Sequence, residues 1–207
     1  MRGRFIVFEG PDGSGKTTQI HLLKEYLDRL GYECLITREP GGTRISEDIR
    51  TLILNPEYTE MSAVTEMMLY AAARAQLVHE VIGPAIERGV MVLSDRFVDS
   101  SIVYQGIARG IGTEKVASVN ALGIGDYRPD VVFYIDLPEE EGLRRKKKQK
   151  SLDRLEKESI DFHHLVSEGF RQVLAGRDGV VTIDGTMSVE DIHRQIKDKL
   201  SEKLNDF

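Results

Sequence analysis

The sequence predicts an α/β fold of three layers, in which a five-stranded parallel sheet is flanked by helices. Short apolar runs rich in β-forming residues recur along the chain, and helical patterns lie between them. Strands that alternate with helices form a parallel sheet covered on both faces. A glycine-rich loop between the first strand and the first helix places the ligand site at the carboxyl edge of that sheet. The predicted strands are Phe5–Phe8, Cys34–Thr37, Val90–Leu93, Val131–Leu137 and Val180–Ile183.

The predicted helices follow from apolar residues at helical spacing. The first is expected to stop at Gly31, since glycine readily adopts the left-handed conformation that ends helices. A long pattern over 62–88 contains Pro84, which should kink or break it. Ser188 is placed to cap the last helix. The further helices are expected at about 113–122, 138–148, 159–174 and 188–204.

Length and composition favour a single globular domain over residues 1–207. Apolar residues make up 41% of the chain and charged residues 30%. No apolar run approaches the roughly 20 residues that a membrane span requires, and a strand begins too early for a signal peptide. Cys34 is the only cysteine, so no intrachain disulfide is possible. We therefore expect a cytoplasmic protein without a membrane partner.

Residues Gly10–Thr17 match the phosphate-binding pattern G-x-x-x-x-G-K-[ST]. The glycines let backbone N–H groups turn inward around phosphate oxygens, and the helix N-terminus adds positive charge. Lys16 can reach the β- and γ-phosphates, and the hydroxyl of Thr17 can hold Mg²⁺. The strand–loop–helix context predicts a P-loop NTPase fold, and an ordinary glycine-rich turn is the alternative. The expected nucleotide-binding residues here are Gly10, Pro11, Asp12, Gly13, Ser14, Gly15, Lys16, Thr17 and Thr18.

Charged residues follow the second and third strands, where a parallel sheet presents its ligand edge. Asp95 ends the third strand, where nucleotide-binding folds keep a carboxylate near Mg²⁺. Arg96 beside it can offer a planar fork to a phosphate; a salt bridge at the strand end is the alternative. The 37–43 segment is a shaped loop because of its proline and paired glycines. Arg50, in the next helix, points either to this crevice or to solvent.

Tyr70 and Arg74 lie four residues apart in a predicted helix and therefore share one face. An aromatic plane beside a guanidinium can recognise a nucleobase. From the residues alone, a core tyrosine beside an exposed arginine is the favoured alternative.

The 144–150 segment holds six cations in seven residues. It predicts a mobile lid over transferring phosphates, while a solvated basic face or a nucleic-acid patch are alternatives. The net charge of −6 argues against nucleic acid as a partner. The five histidines show no metal-ligand spacing, and we expect them to be structural or exposed.

Taken together, these residues resemble the bacterial thymidylate kinases, members of the P-loop nucleoside-monophosphate kinases. The resemblance implies transfer of the ATP γ-phosphoryl group to dTMP with Mg²⁺, in dTTP biosynthesis, and a homodimer. It extends over nearly the whole chain, and the Arg-Glu-Pro-Gly-Gly-Thr and Asp-Arg-x-x-x-Ser-Ser patterns are its most specific parts. The matching segments are 8–18, 37–43, 95–101, 104–106, 128–130 and 152–156.

The resemblance implies one set of roles around the phosphates. Lys16 and Thr17 would hold the ATP phosphates and the metal, the latter together with Asp95. Asp12 would face the sugar and phosphate of the acceptor. Arg50 and Arg96 would clamp the dTMP phosphate. The expected catalytic residues are Lys16, Arg96, Asp95, Asp12 and Arg145.

A second set of implied roles surrounds the nucleosides. Tyr70 would stack on thymine, Arg74 would hydrogen-bond the base, and Tyr104 would crowd the sugar 2′ position. The loop that begins at Asp184 would hold adenine, largely through its backbone. The expected substrate-binding set is Asp12, Arg38, Glu39, Pro40, Arg50, Tyr70, Arg74, Arg96, Ser100, Ser101, Tyr104 and Gln105.

The chain departs from the family pattern at three places. Tyr70 stands where phenylalanine is usual, so stacking survives but the hydroxyl needs a partner. Gly13 stands where one branch carries a loop arginine, so the cation for transfer should come from the lid, at about 142–156. That lid has mostly lysines and carries Gln149 at one expected arginine position. The candidates are Arg144, which is also expected at the nucleotide, Arg145 and Lys147.

Two other functions remain compatible with the phosphate loop. Another nucleoside or nucleoside-monophosphate kinase would keep the loop and the lid but not the thymine site. A P-loop NTPase switch would hydrolyse nucleotide without an acceptor, and the guanine-recognition pattern Asn-Lys-x-Asp is missing from the sequence. Release of ADP that depends on an acceptor separates the kinases from the switch.

Overall fold

The computed structural model describes residues 2–146 and 153–205. Five parallel strands form one sheet in the order β2-β3-β1-β4-β5, which confirms the predicted fold class. The strands lie within two residues of their predicted bounds. They are β1 (Phe5–Glu9), β2 (Cys34–Arg38), β3 (Met91–Asp95), β4 (Val131–Asp136) and β5 (Val180–Asp184).

Nine α-helices cover this sheet within the described residues. As predicted, the long pattern around Pro84 does not form one α-helix, because a π-helical segment (Val78–Ile82) interrupts it before the proline. The helices are α1 (Lys16–Arg29), α2 (Arg44–Leu54), α3 (Ala63–Leu77), α4 (Gly83–Glu87), α5 (Val98–Ser101), α6 (Thr113–Ile124), α7 (Glu139–Lys146), α8 (Ile160–Leu174) and α9 (Val189–Asn205).

The helical region after β3 was not predicted. It comprises α5 and a second π-helical segment, Ile102–Ala108. Its polar residues Ser100, Ser101 and Gln105 are buried, so the segment lacks the apolar periodicity that marks a helix in a sequence. This buried polar surface lies beside the carboxyl end of β3.

Alternate residues of β1 pack into two hydrophobic cores, one on each face of the sheet. Phe5 and Val7 pack with residues of α3, α4, α6 and α8. Ile6 and Phe8 pack with residues of α1 and α9. A strand that is buried on both faces and uniformly apolar is typical of the centre of a parallel sheet.

Strand register brings the carboxyl ends of three strands to one level. Phe8 pairs with Asp95, and Asp95 pairs with Arg38. The phosphate loop, the loop after β2 and the loop after β3 therefore leave the sheet side by side. In the part of the chain that is described, no helix is both long and apolar enough to cross a membrane.

Candidate functional site

A cavity of about 520 Å³ opens at this carboxyl edge. A cleft where the loops after several parallel strands meet is the usual ligand site of such a sheet. Most of the residues expected at the site line it. They are Asp12, Gly13, Gly15, Lys16, Thr17, Thr18, Arg38, Glu39, Pro40, Arg50, Tyr70, Arg74, Asp95, Arg96, Ser100, Ser101, Tyr104 and Gln105.

The phosphate loop has the backbone that its glycines allow. Gly13 and Gly15 have φ values of 77° and 94°, a region that side-chain-bearing residues rarely adopt. The Nζ of Lys16 donates to the carbonyls of Gly10 and Pro11 at 3.1 and 3.0 Å. Burial and the nearby charge of Arg96 lower the pKa of Lys16 to about 8. A bound polyanion would favour the charged form and restore a higher value.

Thr17 and Asp95 place two hard oxygen atoms together at the mouth of the loop. The hydroxyl of Thr17 donates to Oδ2 of Asp95 at 2.7 Å. Among the described residues, no cluster of three His, Cys, Asp or Glu side chains could hold a metal by itself. Mg²⁺ commonly uses one or two protein oxygens and completes its shell with phosphate oxygens and water. The pair fits that type of site.

Arg96 lies between the phosphate loop and the cavity wall. Its φ of 73° is unusual for a residue with a side chain. The guanidinium donates to Gly10 O at 3.0 Å, to Ser100 Oγ at 3.0 Å and to Asp12 Oδ1 at 2.6 Å. It also stacks over the Tyr104 ring, 5.3 Å from the centroid. Arg96 is thus bound to the loop, and its ion-pair partner is Asp12, not its neighbour Asp95.

Glu9 is a buried carboxylate directly before the phosphate loop, and sequence reasoning did not select it. Its Oε1 accepts from the backbone N–H groups of Phe97 and Ser100 at 2.8 and 3.2 Å. Its Oε2 accepts from the Ser100 hydroxyl at 2.6 Å. Glu9 therefore anchors the segment that carries Arg96. An acidic residue at the end of a strand with no exposed face was the available signal.

We expect Glu9 to make stability fall as pH rises. Burial raises the pKa of Glu9 from 4.5 to about 7, and the charge of Asp99 adds to the rise. The folded protein then binds a proton that the unfolded chain has released, so the free energy of unfolding decreases between about pH 4.5 and 7. Glu9→Gln removes this contribution, which is at most about 3 kcal/mol.

Urea unfolding of both proteins at pH 5, 6, 7 and 8 tests this. Every other pH-dependent contribution is common to both proteins and cancels in the comparison. The unfolding free energy of the unaltered protein should drop relative to that of Glu9→Gln as pH rises. Parallel pH profiles would show that Glu9 does not titrate in this range.

Arg74 is buried, with 2% of its surface exposed, so the alternative of an exposed arginine is wrong. Its Nε donates to Glu39 Oε2 at 2.6 Å, and its Nη2 donates to Phe97 O at 3.0 Å. Its Nη1 donates to Ser101 Oγ at 3.0 Å and to the Asn120 side chain. Each nitrogen of Arg74 is thus already bonded to the protein. The guanidinium forms a fixed cavity wall and is not a free donor.

Arg38 and Arg50 also contribute charge to the cavity wall. Arg50 is half-buried and donates to Pro40 O at 2.8 Å, which directs it toward the crevice rather than toward solvent. Arg38 is about half exposed, and its Nη2 lies 2.9 Å from both carboxylate oxygens of Glu47.

Two tyrosines line the apolar part of the cavity. Tyr70 precedes Arg74 by one helical turn in α3, and burial raises the pKa of Tyr70. Tyr104 packs edge-on against Phe170, with ring centroids 6.0 Å apart. Burial raises the pKa of Tyr104, and Arg96 opposes that rise. Both phenols are therefore neutral at physiological pH and present flat, partly apolar surfaces.

Some expected residues do not line the cavity: Gly10, Pro11, Ser14, Arg144, Arg145 and Asp184. Arg144 is exposed and pairs with Glu141. Arg145 lies between the phosphate loop and the loop after β5, with Nη atoms 3.3 Å from Gly13 O and from Gly185 O. Asp184 accepts from the backbone N–H and hydroxyl of Thr186. The expected lid, at about 142–156, includes residues 147–152, so Lys147 and Gln149 lie outside the described residues.

The structure adds residues to the cavity that sequence reasoning had not assigned. Asp153, Leu155 and Glu156 line its far wall together with Leu54. Asp153, Leu155 and Glu156 belong to the 152–156 segment, which matches the family pattern but to which the resemblance assigns no role.

A phosphate loop joined through one cavity to a cationic pocket with aromatic walls defines a P-loop nucleotide-binding protein of the nucleoside-phosphate kinase class. A family model described as "Thymidylate kinase" matches residues 8–196. A thymidylate kinase of Thermoanaerobacter sp. (strain X514) is 51% identical over 205 residues, 99% of this chain and 100% of the relative. A thymidylate kinase of Geobacillus sp. (strain WCH70) is 47% identical, over 93% of this chain and 93% of the relative. One of Bacillus licheniformis is 44% identical, over 100% of this chain and 99% of the relative. The chain belongs to the thymidylate kinase family.

Proposed function

We propose that this chain transfers the γ-phosphoryl group of ATP to dTMP, giving ADP and dTDP. The observation that carries the proposal is the single cavity shared by Lys16 of the phosphate loop and by Arg50, Arg96 and Tyr70. A donor triphosphate on the loop and an acceptor monophosphate in the cationic pocket would meet there. The family assignment supports a phosphotransferase that uses ATP as donor.

The main requirement of such a site is to offset the repulsion between the donor and acceptor phosphates. Two unit charges about 4 Å apart repel by about 4 kcal/mol at an effective dielectric constant of 20. Lys16, Arg50 and Arg96 surround the space where donor and acceptor phosphates would approach. A phosphomonoester has a second pKa of about 6 and is largely a dianion near neutral pH. It needs no strong general base, so catalysis consists of alignment and charge neutralisation.

We assign the phosphate contacts as follows. Lys16 binds the β- and γ-phosphates, and Arg96 and Arg50 bind the dTMP phosphate. Asp12 orients Arg96 toward the acceptor through their 2.6 Å ion pair. Arg145, which already contacts both loops near the donor, is the cation of α7 that we favour for assistance to transfer.

Thr17 and Asp95 would hold Mg²⁺, and the 2.7 Å contact between their oxygens supports this. When bound, the ion supplies positive charge to the β- and γ-phosphate oxygens. Asp95 ends a buried strand, so its carboxylate has a fixed position at the mouth of the loop.

We assign base recognition to the part of the cavity lined by Tyr70, Arg74, Ser101 and Gln105. Tyr70 would stack on thymine, and Ser101 and Gln105 would lie near the base edge. Arg74 would hydrogen-bond the base only by sharing a hydrogen atom that it now gives to Ser101 or Asn120. Tyr104 would occupy the space beside the sugar 2′ position and disfavour ribonucleotides.

We expect dTMP to be the best acceptor and dUMP to be a poor but measurable one. A methyl group in a hydrophobic pocket is worth roughly 10–200-fold in kcat/KM. The measurement is ADP release from ATP with a panel of dTMP, dUMP, UMP, dCMP, dGMP, AMP and thymidine, each with and without Mg²⁺. Equal use of dUMP and dTMP would contradict a methyl-reading pocket. Preference for another monophosphate would keep the kinase chemistry but overturn the base site.

The same assay distinguishes a kinase from an NTPase switch, because a switch releases ADP without any acceptor. The cationic pocket beside the phosphate loop favours a kinase.

We further propose one domain over residues 1–207 and a cytoplasmic location, where ATP and dTMP are available. No nucleic-acid partner is proposed, given the net charge of −6.

We also propose a homodimer formed through α3. Val64 and Met68 are adjacent on one face of this helix and are 54% and 50% exposed. Leu122 of α6 is 91% exposed. Its neighbour Gly123 approaches Ala71 and Ala75 of α3, so α6 packs beside α3. Light scattering after gel filtration should give twice the chain mass; a monomer at micromolar concentration would contradict the proposal.

A further inference from the structure

Glu66 is a fully buried carboxylate on α3 that the reaction chemistry does not require. Its Oε1 accepts from Gln105 Nε2 at 2.9 Å, and its Oε2 accepts from Arg154 Nη2 at 2.7 Å. Arg109 donates to both oxygens, at 3.3 and 3.0 Å. Burial by itself would raise the pKa of Glu66, but the hydrogen bonds from Arg109, Gln105 and Arg154 hold it below its ordinary value.

These donors come from segments that are far apart in the chain. Gln105 belongs to the second π-helical segment and Arg109 directly follows it, whereas Arg154 lies 88 residues from Glu66. Arg109 is held independently by Glu158 at 2.6 Å and by the Phe162 ring, 4.6 Å from its centroid. Glu66 is therefore the point where α3, the helical region after β3 and the far cavity wall meet.

Arg154 attaches that far wall to the body of the protein. Besides Glu66, its Nε donates to Ile53 O at 2.8 Å and its backbone N–H donates to Leu54 O at 3.2 Å. The residues on either side of it, Asp153 and Leu155, line the cavity.

The wall is also a single turn that is closed by its own hydrogen bonds. The backbone N–H of Asp153 donates to Glu156 Oε2 at 2.9 Å, and the backbone N–H of Glu156 donates to Asp153 Oδ1 at 2.9 Å. Arg154 is thus the buried attachment of a compact segment whose other side chains face the cavity.

We infer that Glu66 and Arg154 are positioning residues for the acceptor nucleotide: their ion pair sets the width of the acceptor end of the cavity. Gln105, Tyr70, which lies one turn from Glu66 on α3, and the 153–156 turn all line the cavity, and Glu66 joins Gln105 to Arg154 of that turn. The phosphate loop makes none of the hydrogen bonds described for this ion pair. The inference rests on the proposed function, because it takes a nucleoside monophosphate as the ligand of this end.

The test is the steady-state kinetics of Arg154→Met, which removes the charge but keeps much of the side-chain volume. Glu66 retains Arg109 and Gln105 in this variant, so the fold is preserved. We expect the KM for dTMP to rise roughly 10–100-fold, as for the misplacement of a binding group by about 1 Å, while the KM for ATP stays within threefold. Glu66→Gln, which weakens the attachment from the other side, should shift the same constant in the same direction.

Glu158→Gln is the matched control. It removes a carboxylate partner of Arg109 without touching Arg154, and both KM values should stay within twofold. An unchanged KM for dTMP in Arg154→Met would overturn the inference. An equal rise in both KM values would also overturn it, because that indicates general loosening. No dTMP-dependent ADP release by the unaltered protein would instead overturn the proposed function, and the inference with it.

Discussion

Replacing Arg96 by alanine is expected to lower kcat by about 10³-fold or more, the range known for arginines that neutralise a transferring phosphoryl group. Arg96 joins the phosphate loop to the acceptor side through Gly10, Asp12 and Ser100. No other described arginine bridges those two parts of the cavity in this way. The measurement is ADP release at saturating ATP and dTMP.

ATP affinity should change little in this variant, because Lys16 and the loop backbone remain. Alanine keeps a Cβ, so the variant bears the same backbone cost at a φ of 73° as arginine does. The kcat of Arg96→Lys should lie between those of the unaltered protein and of Arg96→Ala, since an ammonium keeps the charge but loses the planar fork. Arg194→Ala, on the exposed face of α9, is a control for loss of an arginine. Near-normal turnover of Arg96→Ala would exclude the proposed role.

Replacing Glu39 by glutamine is expected to reduce the free energy of unfolding by about 3–5 kcal/mol, the cost of leaving one charge of a buried pair without its partner. Glu39 and Arg74 are 3% and 2% exposed, and their closest atoms are 2.5 Å apart. Burial raises the pKa of Glu39 and the charge of Arg74 opposes this, so each group depends on the other. Urea unfolding measures the change.

Glu47→Gln provides the matched control, because Glu47 also pairs with an arginine. That pair, with Arg38, is 40% and 52% exposed, and exposed pairs contribute at most about 1 kcal/mol. Glutamine at position 47 can still accept from the backbone of Gly42. Equal destabilisation by the two substitutions would show that burial does not determine the strength of the Glu39–Arg74 pair.

The sequence was sufficient for features that depend on local pattern. Apolar runs located the five strands, and Gly31, with a φ of 87°, ends α1 as predicted. The phosphate loop was evident because its glycines, Lys16 and Thr17 must stand at fixed spacing for backbone N–H groups to surround a phosphate. Asp95 and Arg96 were selected for a similar reason, since they directly follow a strand that reads as buried.

Long-range partners could not be predicted. The hydrogen-bond partners of Arg74 come from the loop after β2, from the region after β3 and from α6, up to 46 residues away. The four-residue spacing predicts that Arg74 and Tyr70 share one face of a helix. It does not predict whether other segments bury that face. For the same reason the sequence favoured an exposed arginine where the structure has a buried one.

Local patterns were enough to predict the five strands, most of the helices, the phosphate loop and the edge of the sheet where ligands are expected to bind, because these depend on residues within about ten positions of each other. The buried contacts behind the cavity wall became apparent only from the packed fold: Glu9 lies behind Arg96, Glu39 and Asn120 bond to Arg74, and Glu66 holds Arg154. These are polar groups buried far from water, and a buried polar group requires a partner wherever the chain can supply one. Which segment supplies it depends on how the helices pack on the sheet, and that packing is not visible in any local pattern.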